Sequence, residues 1–353
     1  MSKNRPVKRI IVLITCAIIC AFMCGCNSEK ELNSYQQGIE ALNAQDYGNA
    51  LKCFNAAESG GNDLQLVYRG KGMAYLGLGK YDDALTSFQQ ALDESNGLIK
   101  KIDYDINFYM AVAEYKSGKL QEAYNTYSNI IQVDKNNSDA YYLRGKVSLD
   151  MGSIDSAKAD YDKAIELNKD DPMLYINIHD DLMGYGMEGD AKAYISKGVA
   201  TVAKPSAYEL GLFNYYLGDY TQARNYFEEA PETKKTEEGI ICLGKTYEAL
   251  DDAAYAMALY EEFTNNNETA AIVYNELGLL KAANKDYEGA LASFDAGLSC
   301  EGSKYKQTLM FNKIVANEFL GKFSEANKLI EEYINLYPDD KIAIREHIFL
   351  SSR

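Results

Sequence analysis

The chain has 353 residues, of which 47% are hydrophobic and 25% charged, a balance typical of globular proteins and not of disordered ones. Its formal net charge of −16 argues against binding to nucleic acid and against electrostatic docking on anionic lipid. Tyrosine is abundant, at 29 residues, while proline occurs five times and tryptophan is absent, so the fold must offer many half-buried aromatic positions.

The first 25 residues have the pattern of a signal peptide. Lys3, Arg5, Lys8 and Arg9 precede an uninterrupted apolar run over residues 10–23. This run is too short to span a bilayer comfortably, but it suits the hydrophobic core of an export signal. Removal of residues 1–25 would also remove four positive charges, which takes the net charge from −16 to −20.

The apolar run ends at Cys24, Gly25 and Cys26, and the sequence turns polar at Asn27. This resembles the lipobox of bacterial lipoproteins, in which small residues precede an obligatory cysteine. The resemblance implies that Cys26 becomes the lipidated first residue of the mature chain, with a diacylglycerol and an amide-linked acyl chain such as palmitate, and two chains suffice for stable anchoring. We therefore expect an exported protein on the outer face of the cell membrane, with residues 26–33 as a short polar tether.

Two alternatives stay open at this end of the chain. Cys24 competes as the lipid site, although no Gly or Ala comes directly before it, and the leader could instead remain as an uncleaved anchor helix. Three further cysteines, Cys53, Cys242 and Cys300, are too widely spaced to predict a disulfide framework.

Residues 72–91 contain a unit that most of the remaining chain repeats. They read as a helix, a tight turn at Gly79 and a second helix, and matching units begin at residues 31, 65, 104, 138, 172, 204, 237, 271 and 307. Position 8 or position 15 of a unit is often Gly, and position 24 is always large and apolar. Position 20 is alanine in all nine units: Ala50, Ala84, Ala123, Ala157, Ala191, Ala223, Ala256, Ala290 and Ala326.

This pattern resembles the tetratricopeptide repeat, a unit of two helices with small residues at positions 8, 20 and 27 and an aromatic residue at 24. Small residues let the two helices approach closely, and the bulky residue fills the space between them. The resemblance implies an all-α, right-handed superhelical solenoid of about nine repeats over residues 34–340. Residues 341–353 are predicted to form a C-terminal capping helix, which closes the open end of such an array.

The sequence predicts no catalytic, cofactor or metal site. His179 and His347 are the two histidines; neither has a partner at ligand spacing, and His179 occupies a packing position of the degenerate unit at 172. Acidic pairs fall at turns and helix starts, where carboxylates cap free N–H groups. An enzyme hidden between His179 and Asp190 is a weak alternative, in which His179 would be needed for more than stability.

The remaining candidate for function is the concave groove. In proteins of this family the first helix of each repeat lines that groove, and here it carries many aromatic residues. The resemblance implies a non-enzymatic scaffold that binds a peptide or helix of a partner protein. The candidate groove residues are Tyr35, Arg69, Phe108, Tyr115, Tyr142, Tyr208, Tyr215 and Phe311.

Two other interpretations of this aromatic stripe stay open. Part of it could pack between helices instead of binding a partner. Alternatively, the tyrosines could stack on a small molecule or glycan, which would make the protein a ligand-binding lipoprotein. One family mechanism, the carboxylate clamp for chaperone C-termini, is not expected, since Arg69 is followed by Met73 where the clamp needs Asn, and Lys146 and Lys245 stand alone at their position.

Overall fold

The structure is a computed structural model that describes residues 33–95, 100–300 and 305–352. The predicted signal peptide, Cys26 and most of the tether lie outside the described residues. The described residues are helical, with no strand among them, and they divide into two compact units, with the boundary between Val202 and Ala203. The predicted all-α fold of helix-turn-helix repeats is confirmed.

The first unit contains five consecutive helix pairs. Each helix packs against the next along the chain, so every pair has a partner on at least one side. The helices are α1 (Ser34–Asn43), α2 (Tyr47–Ser59), α3 (Leu64–Gly77), α4 (Tyr81–Asp93), α5 (Lys101–Lys116), α6 (Leu120–Val133), α7 (Ser138–Asp150), α8 (Ile154–Leu167), α9 (Pro172–Gly184) and α10 (Glu188–Thr201).

The second unit contains four helix pairs and a final single helix. A short 3₁₀ helix, Thr233–Lys235, precedes its second pair. The helices are α11 (Ala207–Leu217), α12 (Tyr220–Glu229), α13 (Glu237–Ala249), α14 (Ala253–Asn266), α15 (Ala271–Ala283), α16 (Tyr287–Leu298), α17 (Lys306–Phe319), α18 (Phe323–Leu336) and α19 (Lys341–Leu350).

Close contact between the two helices of a pair explains the repeating small residues. All nine alanines at position 20 are fully buried, as are the large residues at position 24. In the fourth pair, a Cβ atom on Gly145 would lie 2.9 Å from the Tyr161 ring and 3.1 Å from the carbonyl oxygen of Ala157. Any larger residue at Gly145 would therefore push the helices apart.

Every turn within a helix pair has a left-handed residue at position 15. Gly supplies it in six pairs, for example Gly152 with φ of 76°. In the other three pairs Gln45, Asp251 and Lys285 adopt φ between 59° and 65°. A left-handed residue at this place ends the first helix and lets the chain reverse direction within three residues.

The final helix, α19, covers the end of the last helix pair. Asp340 caps its N-terminus, since the carboxylate accepts hydrogen bonds from the backbone N–H groups of Ile342 and Ala343. Ala343 and Leu350 are buried in one cluster with Ile330 and Tyr333. The helix thus shields the apolar face of α18, as expected of a capping helix.

Candidate functional site

The first unit contains a pocket of about 400 Å³ that five successive helix pairs line together. We call it the first-unit pocket. Of the eight predicted groove residues, Phe108, Tyr115 and Tyr142 line it. The other residues that line the first-unit pocket are Leu42, Asn43, Gln45, Tyr47, Met73, Leu76, Gly77, Tyr81, Tyr109, Val112, Lys116, Tyr127, Leu143, Lys146, Asn177, Asp180 and Asp181.

Helix α5 supplies the middle of the pocket wall. Phe108, Val112 and Tyr115 lie three or four residues apart, so they share one face of the helix. Phe108 packs edge-on against Tyr127 of α6, with 5.8 Å between ring centroids. Burial raises the pKa of Tyr109, which also lines the pocket, to about 12, so this side chain is a neutral phenol at physiological pH. This part of the wall is therefore apolar and aromatic.

One end of the pocket is polar, and a buried carboxylate organises it. Asp181 of α9 is 8% exposed and forms an ion pair with Lys146 of α7. The hydroxyls of Tyr142 and Tyr161 donate hydrogen bonds to its Oδ2 atom, at 2.8 and 3.3 Å. With an ammonium and two hydroxyls around it, the Asp181 carboxylate is held in one place.

Asn177 lies one helical turn before Asp181 and differs from it in having an unused acceptor. Its side chain is 3% exposed, and among the described residues no group donates a hydrogen bond to its Oδ1 atom. A buried polar atom without a partner costs roughly 1–3 kcal/mol, so such an atom needs an explanation. The Oδ1 atom is also closed off from solvent, so the structure leaves this acceptor unsatisfied.

Negative charge predominates around this polar end. Asp180 is 39% exposed and lies 3.1 Å from Nδ1 of His179. Asp150 accepts a 2.6 Å hydrogen bond from Tyr185 and a further one from Tyr115. Two lysines also line the pocket: Lys146, which is paired with Asp181, and the exposed Lys116, whose Nζ atom lies 5.9 Å from the centroid of the Tyr115 ring.

Six of the eight predicted groove residues lie at position 5 of their units and form the predicted stripe. The aromatic members of this stripe also pack within their own repeats. Each aromatic member contacts the large aromatic residue of its own second helix, at centroid distances of 5.7–5.9 Å. Tyr142 is the most enclosed of them, at 7% exposed. These pairs are Tyr35 with Phe54, Phe108 with Tyr127, Tyr142 with Tyr161, Tyr208 with Phe227, and Phe311 with Tyr333.

Arg69, the one charged residue of the predicted stripe, points at the neighbouring repeat. Its Nε atom donates to Asp105 of α5, and its guanidinium lies 5.7 Å from the centroid of the Tyr109 ring. Arg69 is thus occupied by contacts inside the first unit. Tyr35 is half-buried and does not line the first-unit pocket.

The second unit holds the remaining three predicted groove residues. Tyr215 lies 5.5 Å from Tyr216 and 5.8 Å from Tyr220, measured between ring centroids, and is half-buried like Tyr208. Phe311 lines a smaller pocket of about 250 Å³ with Gln307, Asn312, Tyr333 and Asp340, among others. Tyr208 and Tyr215 do not line that smaller pocket.

The polar end of the first-unit pocket was not among the predicted sites. Asn177, Asp180 and Asp181 lie in the degenerate unit, whose first helix reads Asn177, Ile178, His179, Asp180, Asp181; at position 10, which is Asp181 here, six of the other eight units have an apolar residue. That run of polar residues on a helix with a buried face is the signal that could have indicated it. His179 itself is buried, in the packing position predicted for it.

The described part of the chain contains neither a metal-binding cluster nor a membrane-spanning helix. No group of three or more His, Cys, Asp or Glu residues there could hold a metal ion. No described helix has both the length and the apolar composition that crossing a bilayer requires.

Models of protein families match several parts of the chain. Three models described as tetratricopeptide repeat match residues 35–99, 75–147, and 138–171 together with 205–235. A fourth, described as anaphase-promoting complex subunit 5, matches residues 278–341.

Two curated proteins are similar to parts of the chain. A TPR repeat-containing protein of Methanocaldococcus jannaschii, MJ1428, is 24% identical over 266 residues, which is 74% of this chain and 43% of that protein. A protein of Dictyostelium discoideum, Protein STIP1 homolog, is 28% identical over 115 residues, or 31% of this chain and 19% of that protein. The chain therefore matches less than half the length of either relative.

Among solved structures, a tetratricopeptide repeat protein from Parabacteroides merdae is similar at 18% identity, with 72% of this chain and 98% of that chain covered and a TM-score of 0.48. The C-terminal part of a TPR repeat-containing protein from Cytophaga hutchinsonii covers 78% of this chain at 16% identity and a TM-score of 0.44.

Proposed function

Because this chain contains tetratricopeptide repeats, we propose that it is a membrane-anchored, non-enzymatic scaffold that binds a partner protein in the cell envelope. The observation that carries the proposal is that each of the two units has half-exposed aromatic rings on the first helices of its repeats. Phe108 and Tyr115 in the first unit, and Tyr208, Tyr215 and Phe311 in the second, are each half-buried and so keep part of the ring accessible.

Half-exposed aromatic rings suit a peptide or helix of a partner. They bury a large apolar area on binding while losing little conformational entropy, because each ring is already held by the packing of its own repeat. Tyr142 is too enclosed to contribute much contact area, and we assign it a supporting role behind Phe108 and Tyr115.

Anchoring through Cys26 is the second part of the proposal. A lipid at this residue would hold the repeats near the outer face of the membrane, because the tether is only a few residues long. Replacement of Cys26 by Ala should move the protein from the membrane fraction to the soluble fraction and abolish incorporation of labelled palmitate. Retention of both would overturn the anchor, and a matched Cys24→Ala variant distinguishes the two candidate cysteines.

Crosslinking in intact cells tests the scaffold. A photoreactive residue at Phe108 reports on the aromatic surface, and the same residue at Asn125, exposed on α6 of the same helix pair, is the matched control. We expect one dominant protein adduct from position 108 that position 125 does not give. Absence of a protein adduct at position 108, or identical adducts at both positions, would contradict a partner-binding groove.

A second candidate function is capture of a small molecule or glycan. The first-unit pocket favours it, because its volume of about 400 Å³ falls within the range of small-molecule sites. A ligand of this class would raise the unfolding temperature of the purified protein, whereas a partner peptide bound only at the half-exposed rings need not fill the pocket.

A further inference from the structure

The first-unit pocket has an apolar interior and a polar mouth. Leu42, Met73 and Leu143 are buried and line its interior, whereas Gln45 and Lys116 are exposed and line the same pocket, which places them at its mouth. We propose that this pocket binds the hydrocarbon chain of a single-chain amphiphile, whose polar head group stays at the mouth. The proposal deepens the second candidate function, capture of a small molecule, and rests on that function and not on the scaffold.

Aliphatic and aromatic side chains form most of the pocket wall. Three successive first helices contribute Leu76 (α3), Val112 (α5) and Leu143 (α7), and Phe108 and six tyrosines add aromatic surface. Contact with such a wall gains free energy by removing apolar surface of the ligand from water, and this gain does not depend on the direction of any bond. An apolar ligand therefore suits the interior, since apolar cavities in proteins take up hydrocarbons.

The charged groups on the wall leave no net charge for a ligand to neutralise. Two lysines and two aspartates line the pocket, so their formal charges cancel. Lys146 forms an ion pair with Asp181, and Asp180 lies 3.1 Å from Nδ1 of His179. Because both aspartates already have partners, a charged group of a ligand would lose its hydration in the interior without gaining an ion pair. The remaining charge, Lys116, is exposed at the mouth.

The amide oxygens on the wall cannot serve a ligand either. Asn43 and Asn177 both line the pocket, yet their Oδ1 atoms are closed off from solvent and have no hydrogen-bond partner among the described residues. A molecule in the pocket does not reach atoms that water cannot reach. The hydroxyl of Tyr142 is also engaged, because it donates to Asp181. The hydrogen-bonding groups that remain for a ligand in the interior are mainly the hydroxyls of other tyrosines.

This scarcity of free polar groups argues against a sugar or a peptide in the interior. Both carry hydrogen-bonding groups along their whole length, and each such group needs a partner once it is buried. A hydrocarbon chain needs none, and the one polar part of an amphiphile stays hydrated if it lies beside Gln45 and Lys116. Chain length, and not the head group, should therefore determine the affinity.

Alcohols that differ only in chain length test the proposal. The full chain carrying Cys26→Ala, purified without detergent, is mixed with N-phenylnaphthylamine, an uncharged dye that fluoresces in apolar surroundings. The chain contains no tryptophan, so the dye can be excited without background from the protein. Hexanol, octanol and decanol should displace the dye with affinities that rise about fourfold for each added methylene, until the chain fills the pocket.

The head group is tested with three ligands that share one chain: decanol, decanoate and decyltrimethylammonium. A single ion pair among exposed groups changes binding by less than roughly fivefold, so the three ligands should bind within roughly fivefold of one another. Lys116→Gln should weaken the binding of decanoate by no more than this factor and leave the binding of decanol unchanged.

Two variants with the same substitution separate the pocket from the rest of the protein. Val112→Phe places a ring in the pocket wall and should weaken the binding of dye and decanol roughly tenfold. Val133→Phe is the matched control, because Val133 is 54% exposed at the end of α6 and does not line the pocket. It should bind both ligands like the parent protein. Asn177→Leu should bind decanol at least as well as the parent, since the Oδ1 atom that it removes is not reached from the pocket.

A photoreactive decanol locates the chain in the unmodified protein. The probe carries a diazirine within its chain and is activated in isolated membranes that contain the wild type. We expect labelled residues among those that line the first-unit pocket, for example Met73 and Tyr109. Excess decanol should suppress this labelling, and Val112→Phe should abolish it.

Three results would each overturn the hydrocarbon site. They are affinities that do not depend on chain length, equal binding by Val112→Phe and Val133→Phe, and photolabelling that spares the lining residues. A rise in unfolding temperature with a sugar and none with decanol would keep the second candidate function and reject the hydrocarbon chain. The crosslinking experiment tests the scaffold separately, so failure of either proposal can be recognised by itself.

Discussion

The hydroxyl of Tyr142 donates a 2.8 Å hydrogen bond to Asp181, which lies on the first helix of the following repeat. Both side chains are more than nine-tenths buried. The bond therefore joins the fourth and fifth helix pairs at the polar end of the first-unit pocket. Because repeat arrays depend on contacts between neighbours, a buried bond of this kind contributes to the stability of the whole unit.

Tyr142→Phe should lower the free energy of unfolding by roughly 1–2 kcal/mol, because it removes one donor from a buried carboxylate and leaves the ring packing intact. Denaturant unfolding followed by circular dichroism measures the change. Tyr141→Phe is the matched control: the Tyr141 hydroxyl makes no hydrogen bond to any described residue, so its removal should be nearly neutral. Equal effects of the two substitutions would show that the bond to Asp181 does not stabilise the unit.

The left-handed turn residues allow a stabilising substitution. Lys285 has φ of 65°, a conformation that costs a residue with a Cβ atom roughly 1 kcal/mol and costs glycine little. Lys285→Gly should therefore raise the free energy of unfolding by roughly 0.5–1 kcal/mol, as measured by thermal or denaturant unfolding.

The opposite substitution, from glycine to alanine at a left-handed turn residue, can be made in the fourth helix pair. Gly152→Ala should destabilise by a similar amount, although no atom lies within 4 Å of the added Cβ, because the strain comes from φ of 76° alone.

Lys285→Ala serves as the control for loss of the lysine side chain and should leave stability nearly unchanged. A gain in Lys285→Ala equal to that in Lys285→Gly would attribute the effect to the side chain and not to the backbone.

The repeat architecture could be predicted from the sequence because one physical requirement recurs in every unit. Close approach of two helices needs a small residue such as Ala157 and a large one such as Tyr161 at fixed spacing, and a period of this kind is visible in one chain. The turns at Gln45, Asp251 and Lys285 could not be recognised in the same way, because no glycine indicates their left-handed backbone.

The repeat pattern of the sequence could not predict the polar end of the pocket. Tyr142 and Asp181 are 39 residues apart and contact each other only after neighbouring repeats have stacked. The unpaired acceptor of Asn177 depends on what its neighbours already bind, which no spacing in the sequence specifies. The stripe at position 5 was visible, but only the structure shows that rings such as those of Phe108 and Tyr142 pack on the rings at position 24.

The register of the repeats can be tested by overpacking one helix pair. Ala157 is fully buried beside Gly145 and Tyr161, so Ala157→Leu has no space for its added carbons and should destabilise by roughly 1–3 kcal/mol. Thermal unfolding measures the change. Ala56→Leu, at an exposed position of α2, adds the same atoms and should be close to neutral. A neutral Ala157→Leu would mean that these two helices do not meet at this residue.

Asp139 should make the stability of the first unit depend on pH. Burial, followed by repulsion from the Asp171 carboxylate, raises the pKa of Asp139 from 3.8 to about 7 in the folded protein, and no described residue donates a hydrogen bond to it. The folded state therefore binds a proton more tightly than the unfolded state does. This contribution to stability is fully present below about pH 4 and is lost as the pH rises towards 7.

Asp139→Asn removes this titration and should stabilise the protein by roughly 1–2 kcal/mol at pH 7.5, with little effect at pH 4. Denaturant unfolding of the wild type and the variant at several pH values between about 4 and 8 gives the comparison. Asp155→Asn is the matched control: this exposed carboxylate also lies in the first turn of a helix, α8, so its removal tests the helix dipole without burial. If the difference between Asp139→Asn and the wild type is the same at every pH, the carboxylate of Asp139 does not titrate in this range. A difference that grows with pH, and that Asp155→Asn does not reproduce, would establish Asp139 as the group responsible.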